Sequence, residues 1–165
     1  MFDIDFNQKG ELLLHRRKFL LYPKHWQDQL SHIQLNLTWH NIEFNKANRN
    51  AAPAKKGVYC FIVKPNTPNF FETKYLFYVG ETTRTLRQRF NEYLNDQEGK
   101  GKPRPKVYEM LKLYKDYLLF YYTEIPKNND IHETEEKLLN TFVPFINTKI
   151  PKAKISPELK NIYEA

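Results

Sequence analysis

Residues 57 to 93 constrain the fold more than any other stretch of the chain. Gly57-Val58-Tyr59-Cys60-Phe61-Ile62-Val63 and Tyr75-Leu76-Phe77-Tyr78-Val79-Gly80 are two short apolar runs, each with a tyrosine close to a glycine. Their β-branched and aromatic residues predict two strands, and Lys64-Pro65-Asn66-Thr67-Pro68-Asn69 predicts a turn between them. The pair reads as hairpin-like, with a long connection. A basic helix follows, capped by Thr83 or Thr85 and running to about Leu94. Leu86, Phe90, Tyr93 and Leu94 form its apolar stripe.

The rest of the chain supplies weaker signals. Asn45 to Lys56 is polar and small and reads as a loop, and the stretch from Glu98 to Lys106 reads as a flexible basic one. Helices are expected over Val107–Tyr114 and Ile131–Phe142, with a β-prone run at Leu118–Ile125 between them. A short helix is expected after Ser156-Pro157. In the first 50 residues Pro23 interrupts any helix. Trp26, Leu30 and Ile33 give one face of a helix over His25–Ile33. The segment is read as an extension that covers one side of the core.

At 165 residues, a single domain with an adequate core is expected. Apolar residues at 41% and aromatics at 15% exclude wholesale disorder. Lysine and arginine number 26 against 19 acidic residues, and the net charge of +7 favours an anionic partner, either nucleic acid or an acidic membrane surface. Cys60 is the single cysteine, which excludes an internal disulfide and a cysteine-rich zinc site. Met1-Phe2-Asp3-Ile4-Asp5 does not resemble a signal peptide, and no apolar run approaches the ~20 residues of a membrane span. The expected compartment is the cytoplasm. Glycine-rich phosphate loops, a serine elbow and an HExxH signature are missing, which argues against nucleotide hydrolysis, serine hydrolase and zinc peptidase chemistry.

Several polar residues stand out by position. On a helix, Glu135 shares a face with Ile131, Leu138, Leu139 and Phe142, so a carboxylate points with the core and needs a partner. Either a salt bridge at the core edge or a hard divalent cation would serve. Arg89 and Tyr93, four apart, share a face of the earlier helix. An arginine fork with a phenol beside it suits a phosphate, and an exposed arginine stacked on tyrosine is the plainer reading. Arg84 and Arg87 add nearby charge of the phosphate-positioning kind. Tyr59 and Tyr78 are either packing residues or part of a polar cluster. As a general base, Tyr59 would need its pKa lowered by Arg89, a lysine or a metal. Lys100, Lys102, Arg104 and Lys106, interleaved with prolines, either track a nucleic-acid backbone or form an ordinary solvated loop. The five histidines form no metal-ligand pattern.

Together these motifs resemble the GIY-YIG nuclease superfamily. Gly57-Val58-Tyr59 is similar to its first motif and Tyr78-Val79-Gly80 to its second. Leu86-Arg87-Gln88-Arg89 resembles its Leu-x-x-Arg, and Tyr93 stands where members carry histidine or tyrosine. Glu135, followed by Leu138, Leu139, Pro144 and Asn147, resembles the C-terminal segment. Arg89 falls one residue late, leaving Arg87 as a rival, and Glu81 replaces the lysine or small residue often found there, with Lys74 as a substitute.

The resemblance implies an α+β fold, a small, mainly antiparallel three-stranded sheet flanked by helices. The nuclease domain would span residues 56–148, between an N-terminal extension (1–55) that packs on the core or contacts DNA and a C-terminal tail (149–165). The implied activity is DNA phosphodiester hydrolysis with one divalent cation, Mg2+ or alternatively Mn2+. Glu135 would hold the metal, Tyr59 would be the base, Arg89 would orient the phosphate, and Tyr78 and Tyr93 would hydrogen-bond it. Asn147 would be structural. A stand-alone restriction-type enzyme acting as a homodimer for double-strand cleavage fits this reading, with a non-catalytic nucleic-acid-binding domain on the same scaffold as the alternative.

Overall fold

A computed structural model describes residues 6–149, 156–159 and 162–163. Strand β2 (Gly57–Val63) lies inside an antiparallel sheet, paired on one side with β3 (Tyr75–Thr82) and on the other with β4 (Leu118–Glu124). Beyond β4 lies β1 (His40–Glu43), so the spatial order is β1-β4-β2-β3. The architecture is the expected α+β one, and the stretch read as an extension adds a fourth strand to it. β1 is short and mostly exposed, and its pairing with the outer side of β4 defines it.

Both faces of the sheet are covered, which is why β2 is an unbroken apolar run rather than an alternating one. Tyr59, Phe61 and Val63 face a cluster closed by α3 (Leu86–Gln97) and α4 (Pro105–Leu113), which contribute Leu86, Phe90, Tyr93, Val107, Met110 and Leu111. Phe44, Phe61, Phe90 and Phe120 meet there edge to face at centroid distances of 4.9–5.5 Å. Truncating one such buried ring typically costs about 3–5 kcal/mol. Val58 and Cys60 face the opposite cluster, closed by α5 (Asn128–Phe142) through Ile131, Leu138 and Leu139.

The start of α3 is fixed from several sides, and this sets the angular position of everything on it. Thr85 is the cap: its hydroxyl accepts from Gln88 N while the Gln88 side chain accepts from Thr85 N. The next two orphan donors, Leu86 N and Arg87 N, take the carbonyls of Lys55 and Pro53. Arg87 turns back to donate to the carbonyl of Ala52. The small polar loop before β2 therefore braces the helix.

Upstream, α1 (Phe6–His15) and α2 (Pro23–Ser31) belong to the extension. Pro23 begins α2 rather than interrupting it, since a proline at the first helical turn loses no hydrogen bond. Trp26 packs on Phe142 of α5, and Phe19 on Tyr75 and Phe77 of β3. After α5 the chain turns at Val143, whose φ of +42° is rarely adopted by a β-branched residue. Downstream of that turn, Asn147 is buried against β3: its amide accepts from Val79 N at 2.8 Å and donates to Val79 O at 2.6 Å. One side chain thus pairs with the outer backbone of the edge strand. Among the described residues no helix is long and apolar enough to cross a membrane. The helix expected after Ser156-Pro157 is a single 3-10 turn, Pro157–Leu159.

Candidate active site

Two local features of the sheet put three phenols together. Gly80 lies opposite Tyr59, and a Cβ on Gly80 would stand 2.5 Å from the Tyr59 hydroxyl, so only glycine leaves room for that ring. Between Phe61 and Ile62 the register with β3 slips by one residue, leaving Phe77 as the extra residue of a bulge. Tyr78, two residues before Gly80 and opposite Phe61, shares the face of Tyr59 by strand alternation, and the slip just beyond it lets Phe77 join the same cluster. Tyr93 comes from α3 and completes the group.

The three hydroxyls are connected. Tyr59 OH lies 2.9 Å from Tyr93 OH, and Tyr93 OH donates to Tyr78 OH at 3.3 Å. Arg89 donates from Nε to Tyr59 OH at 3.0 Å and from Nη2 to Tyr93 OH at 3.2 Å. Its third face goes to Glu92, one helical turn on, at 2.8 Å. Glu92 also receives both terminal nitrogens of Arg84 at 2.6 and 3.0 Å. Burial works against ionisation of Glu92, but its bonds and charge interactions with Arg84 and Arg89 hold its carboxyl below the usual range. Glu92 therefore orients the Arg89 fork while remaining partly exposed.

The phenols themselves are dry. Tyr59, Tyr78 and Tyr93 are 1%, 3% and 1% exposed. Burial drives the Tyr59 pKa well above that of an ordinary phenol; the neighbouring Tyr78 adds to the rise, and the Arg89 charge and hydrogen bond offset only part of it. Tyr93 is raised in the same way, by burial first and by Tyr59 and Tyr78 next. Of the three sources that could lower the Tyr59 pKa for general-base work, Arg89 is in place, yet it does not overcome the effect of burial. In this structure Tyr59 is a neutral hydroxyl, because desolvation outweighs the nearby cation.

On the other face, Glu135 lies half-buried on α5, and the neighbouring Ile131, Leu138 and Leu139 are buried as the periodicity requires. Glu81 follows Gly80 on β3 and sits opposite Val58, so it shares that face. Burial raises the Glu135 pKa to about 7, with the Glu81 charge adding to the rise and Arg104 opposing it. His132 Nδ1 stands 2.6 Å from Glu81 Oε2, an ion pair when the ring is protonated, though that oxygen accepts no aligned hydrogen bond. The site thus straddles the β3 edge, with phenols and guanidinium on one side and carboxylates on the other.

Of the residues singled out by sequence, Tyr59, Tyr78, Arg89 and Tyr93 form one hydrogen-bonded cluster, and Arg104 joins it. Arg87 does not, because its guanidinium is held by the Ala52 carbonyl. Lys74 does not substitute for the missing lysine either; its neighbours are Glu72 and Tyr121. The basic loop is not a uniform stripe. Lys100 pairs with Glu98, Lys106 lies over the Phe145 ring, and Lys102 is exposed. Arg104 donates to Tyr78 OH at 2.6 Å. Sequence reasoning did not single out Glu92 and gave Glu81 and His132 no role in the site. The spacing of Glu92 three residues after Arg89 was a usable signal; the other two needed the sheet register.

A small antiparallel α+β sheet, with a half-buried carboxylate at its edge beside buried phenols and partly exposed arginines, is a nuclease-type fold. The family model described as the GIY-YIG catalytic domain matches residues 55–149, more than half of the chain, and the protein belongs to that family. Its members are usually endonucleases and generally use a divalent metal. No curated protein and no solved structure matches the chain.

Proposed function

We propose that the protein is a divalent-metal-dependent endonuclease that hydrolyses DNA phosphodiesters, with Glu135 holding the cation. The observation that carries this reading is that Arg104, bonded into the Arg89–phenol cluster, also acts by its charge on a carboxylate whose pKa is pushed up to about 7. A guanidinium with two donors aimed at one spot suits a phosphate oxygen. A carboxylate kept partly out of water beside a second one, Glu81, is the kind of hard oxygen donor that a divalent cation stabilises. Among the described residues no group of three or more acidic, histidine or cysteine side chains converges. This suits Mg2+, or Mn2+ in its place, held by one or two carboxylates together with water and substrate phosphate.

Each side chain then has a distinct task. Arg89, kept in place by Glu92, binds the scissile phosphate and stabilises the charge that builds on it. Tyr93 and Tyr78 hydrogen-bond the same group. Tyr59, neutral, positions the attacking water. When bound, the cation neutralises phosphate charge and makes water more acidic, which the buried phenols do not do at neutral pH. Asn147 holds β3 so that Gly80 and Glu81 keep their places. Arg84, Lys100, Lys102 and Lys106 would contribute sequence-independent contacts to the DNA backbone. One site cuts one strand, so a double-strand break takes two chains or two successive nicks. A restriction enzyme of the cytoplasm is the role this reading favours.

The test is incubation of purified protein with plasmid and phage DNA, with Mg2+ or Mn2+ and with EDTA, beside E135A. Metal-dependent cutting that is lost in E135A supports the proposal. Full activity of E135A, or of wild type in EDTA, overturns it. Salt-sensitive DNA binding without cutting under any metal points to the binding-domain reading instead.

A further inference from the structure

Arg104 lies outside the motifs that define the site, yet its guanidinium reaches into it. The chain turns back after α3 through Gly99 and Gly101, at φ of +75° and +87°, a left-handed backbone that favours glycine. Arg104 comes next, as the cap residue of α4, and is followed by Pro105 in the first turn of that helix. From there Nη2 donates to Tyr78 OH at 2.6 Å and reaches Tyr93 OH at 3.4 Å, with the guanidinium 5.2 Å from the Tyr78 ring centre.

The two arginines bracket the phenols. Arg89 holds Tyr59 and Tyr93, Arg104 holds Tyr78 and Tyr93, and the Tyr93 hydroxyl is common to both. They differ in charge compensation. Arg89 is paired with Glu92, whereas Arg104 forms no salt bridge among the described residues. Its hydrogen-bond partners are phenol hydroxyls, and its charge also acts on Glu135 and Asp96. A guanidinium whose hydrogen bonds among the described residues all go to phenols, with Asp96 and Glu135 near it but neither bonded to it, has donor capacity suited to an anion arriving there.

We propose that Arg104 is a second phosphate-binding catalytic residue, clamping the scissile phosphodiester from the Tyr78 and Glu135 side while Arg89 holds it from the Tyr59 side. The proposal rests on the nuclease reading above. In the hydrolysis, the water oxygen forms a bond to phosphorus, the bond from phosphorus to the leaving sugar oxygen breaks, and the water proton ends on that oxygen. Arg104 donates hydrogen bonds to a non-bridging oxygen throughout and transfers no proton. Its role is thus unlike that of Lys100 or Lys102, whose contacts would be with the DNA backbone at large.

The experiment compares wild type, R104A, R104K and E135A on plasmid and phage DNA with Mg2+ or Mn2+. Cutting rates are taken at saturating protein, and DNA affinity is measured with Ca2+ in place of the activating metal. Expected for R104A is a rate lower by about 10²–10³-fold, with affinity changed by less than about tenfold. Added guanidinium ion restores part of that rate. R104K, which keeps the charge but not the fork, stays at least about tenfold below wild type. If R104A cuts at the wild-type rate and only its affinity and salt dependence change, Arg104 is a backbone contact and the proposal fails. That outcome leaves the nuclease reading intact, provided E135A is dead. A wild-type protein that cuts nothing overturns both. Thermal melting verifies that the variants fold, and because R104K retains the side-chain stem, a slow R104K that melts like wild type supports the proposal even if R104A is unstable.

Discussion

The two faces of the sheet treat their polar groups in opposite ways. On the α3 face, three buried phenols are bonded to one another and to two guanidinium groups that reach out to solvent, and Glu92 holds Arg89 from outside. On the α5 face, Glu135 and Glu81 repel each other, and Glu135 is half out of water with no salt bridge to a cation among the described residues. The first arrangement is preorganised: its donors are in place before an anion arrives, so little reorganisation accompanies binding. The second is held at an electrostatic cost that a cation would relieve. A phosphodiester and a divalent cation are complementary to the two halves in turn, and Gly80 at the β3 edge is where the halves meet.

Removing either half should abolish cutting in a different manner. E135A is expected to lower the DNA cleavage rate by about 10³-fold or more while leaving affinity within a few-fold, read by single-turnover cleavage beside a binding titration. R89A should cost about 10²–10³-fold in rate. R89K should recover little of it, because one ammonium cannot serve two phenols and Glu92 at once. Y59F leaves the ring packed over Gly80 but removes the acceptor for Arg89 Nε. A rate loss of about 10²-fold is expected, along with about 1–3 kcal/mol of stability from the unsatisfied donor, measured by urea denaturation.

The comparison sharpens when pH replaces mutation. Glu135 is raised in the folded chain, so its contribution to stability is complete below the unfolded carboxyl pKa and is lost as pH rises through about 7. Without divalent metal, E135Q should therefore be more stable than wild type at about pH 8, by roughly 1–3 kcal/mol, and no more stable at about pH 4. Mg2+ or Mn2+ should raise the melting temperature of wild type above about pH 7 more than at about pH 5, and that of E135Q little at either pH. Tyr59 and Tyr93 should add no dependence of their own below about pH 9, since burial keeps them neutral. At the small end, T85A should destabilise by about 1 kcal/mol through loss of the cap, with a modest rate loss from the displaced Arg89.

Much of this arrangement was legible in the linear sequence. β2 was marked by an unbroken run of aromatic and β-branched residues, α3 by its cap and stripe, and α5 by the 3.6-residue period that turned Glu135 toward Ile131, Leu138 and Leu139. Local propensity and periodicity act over a few residues, and a strand buried on both faces needs no knowledge of its partner to be recognised. The order of Tyr59, Tyr78, Arg89, Tyr93 and Glu135 followed from those same elements.

Other features depended on contacts distant in sequence. The bulge at Phe77 puts Phe77 and Tyr78 into the same cluster, and only the pairing of β3 with β2 reveals it. β1 exists because β4 offers it an edge; four mostly polar residues carry no pattern of their own. The rise of the Tyr59 pKa came from burial, which the chemical identity of its neighbours did not disclose. Arg104 looked like one more charge in a basic loop, because nothing in the spacing of Gly99, Gly101 and Pro105 reveals where the loop's far end docks. The sequence by itself determined which elements form and which side chains each one offers. The tertiary structure alone decided which side chains meet across the β3 edge, because sheet register and loop closure are set by the packing of the whole chain.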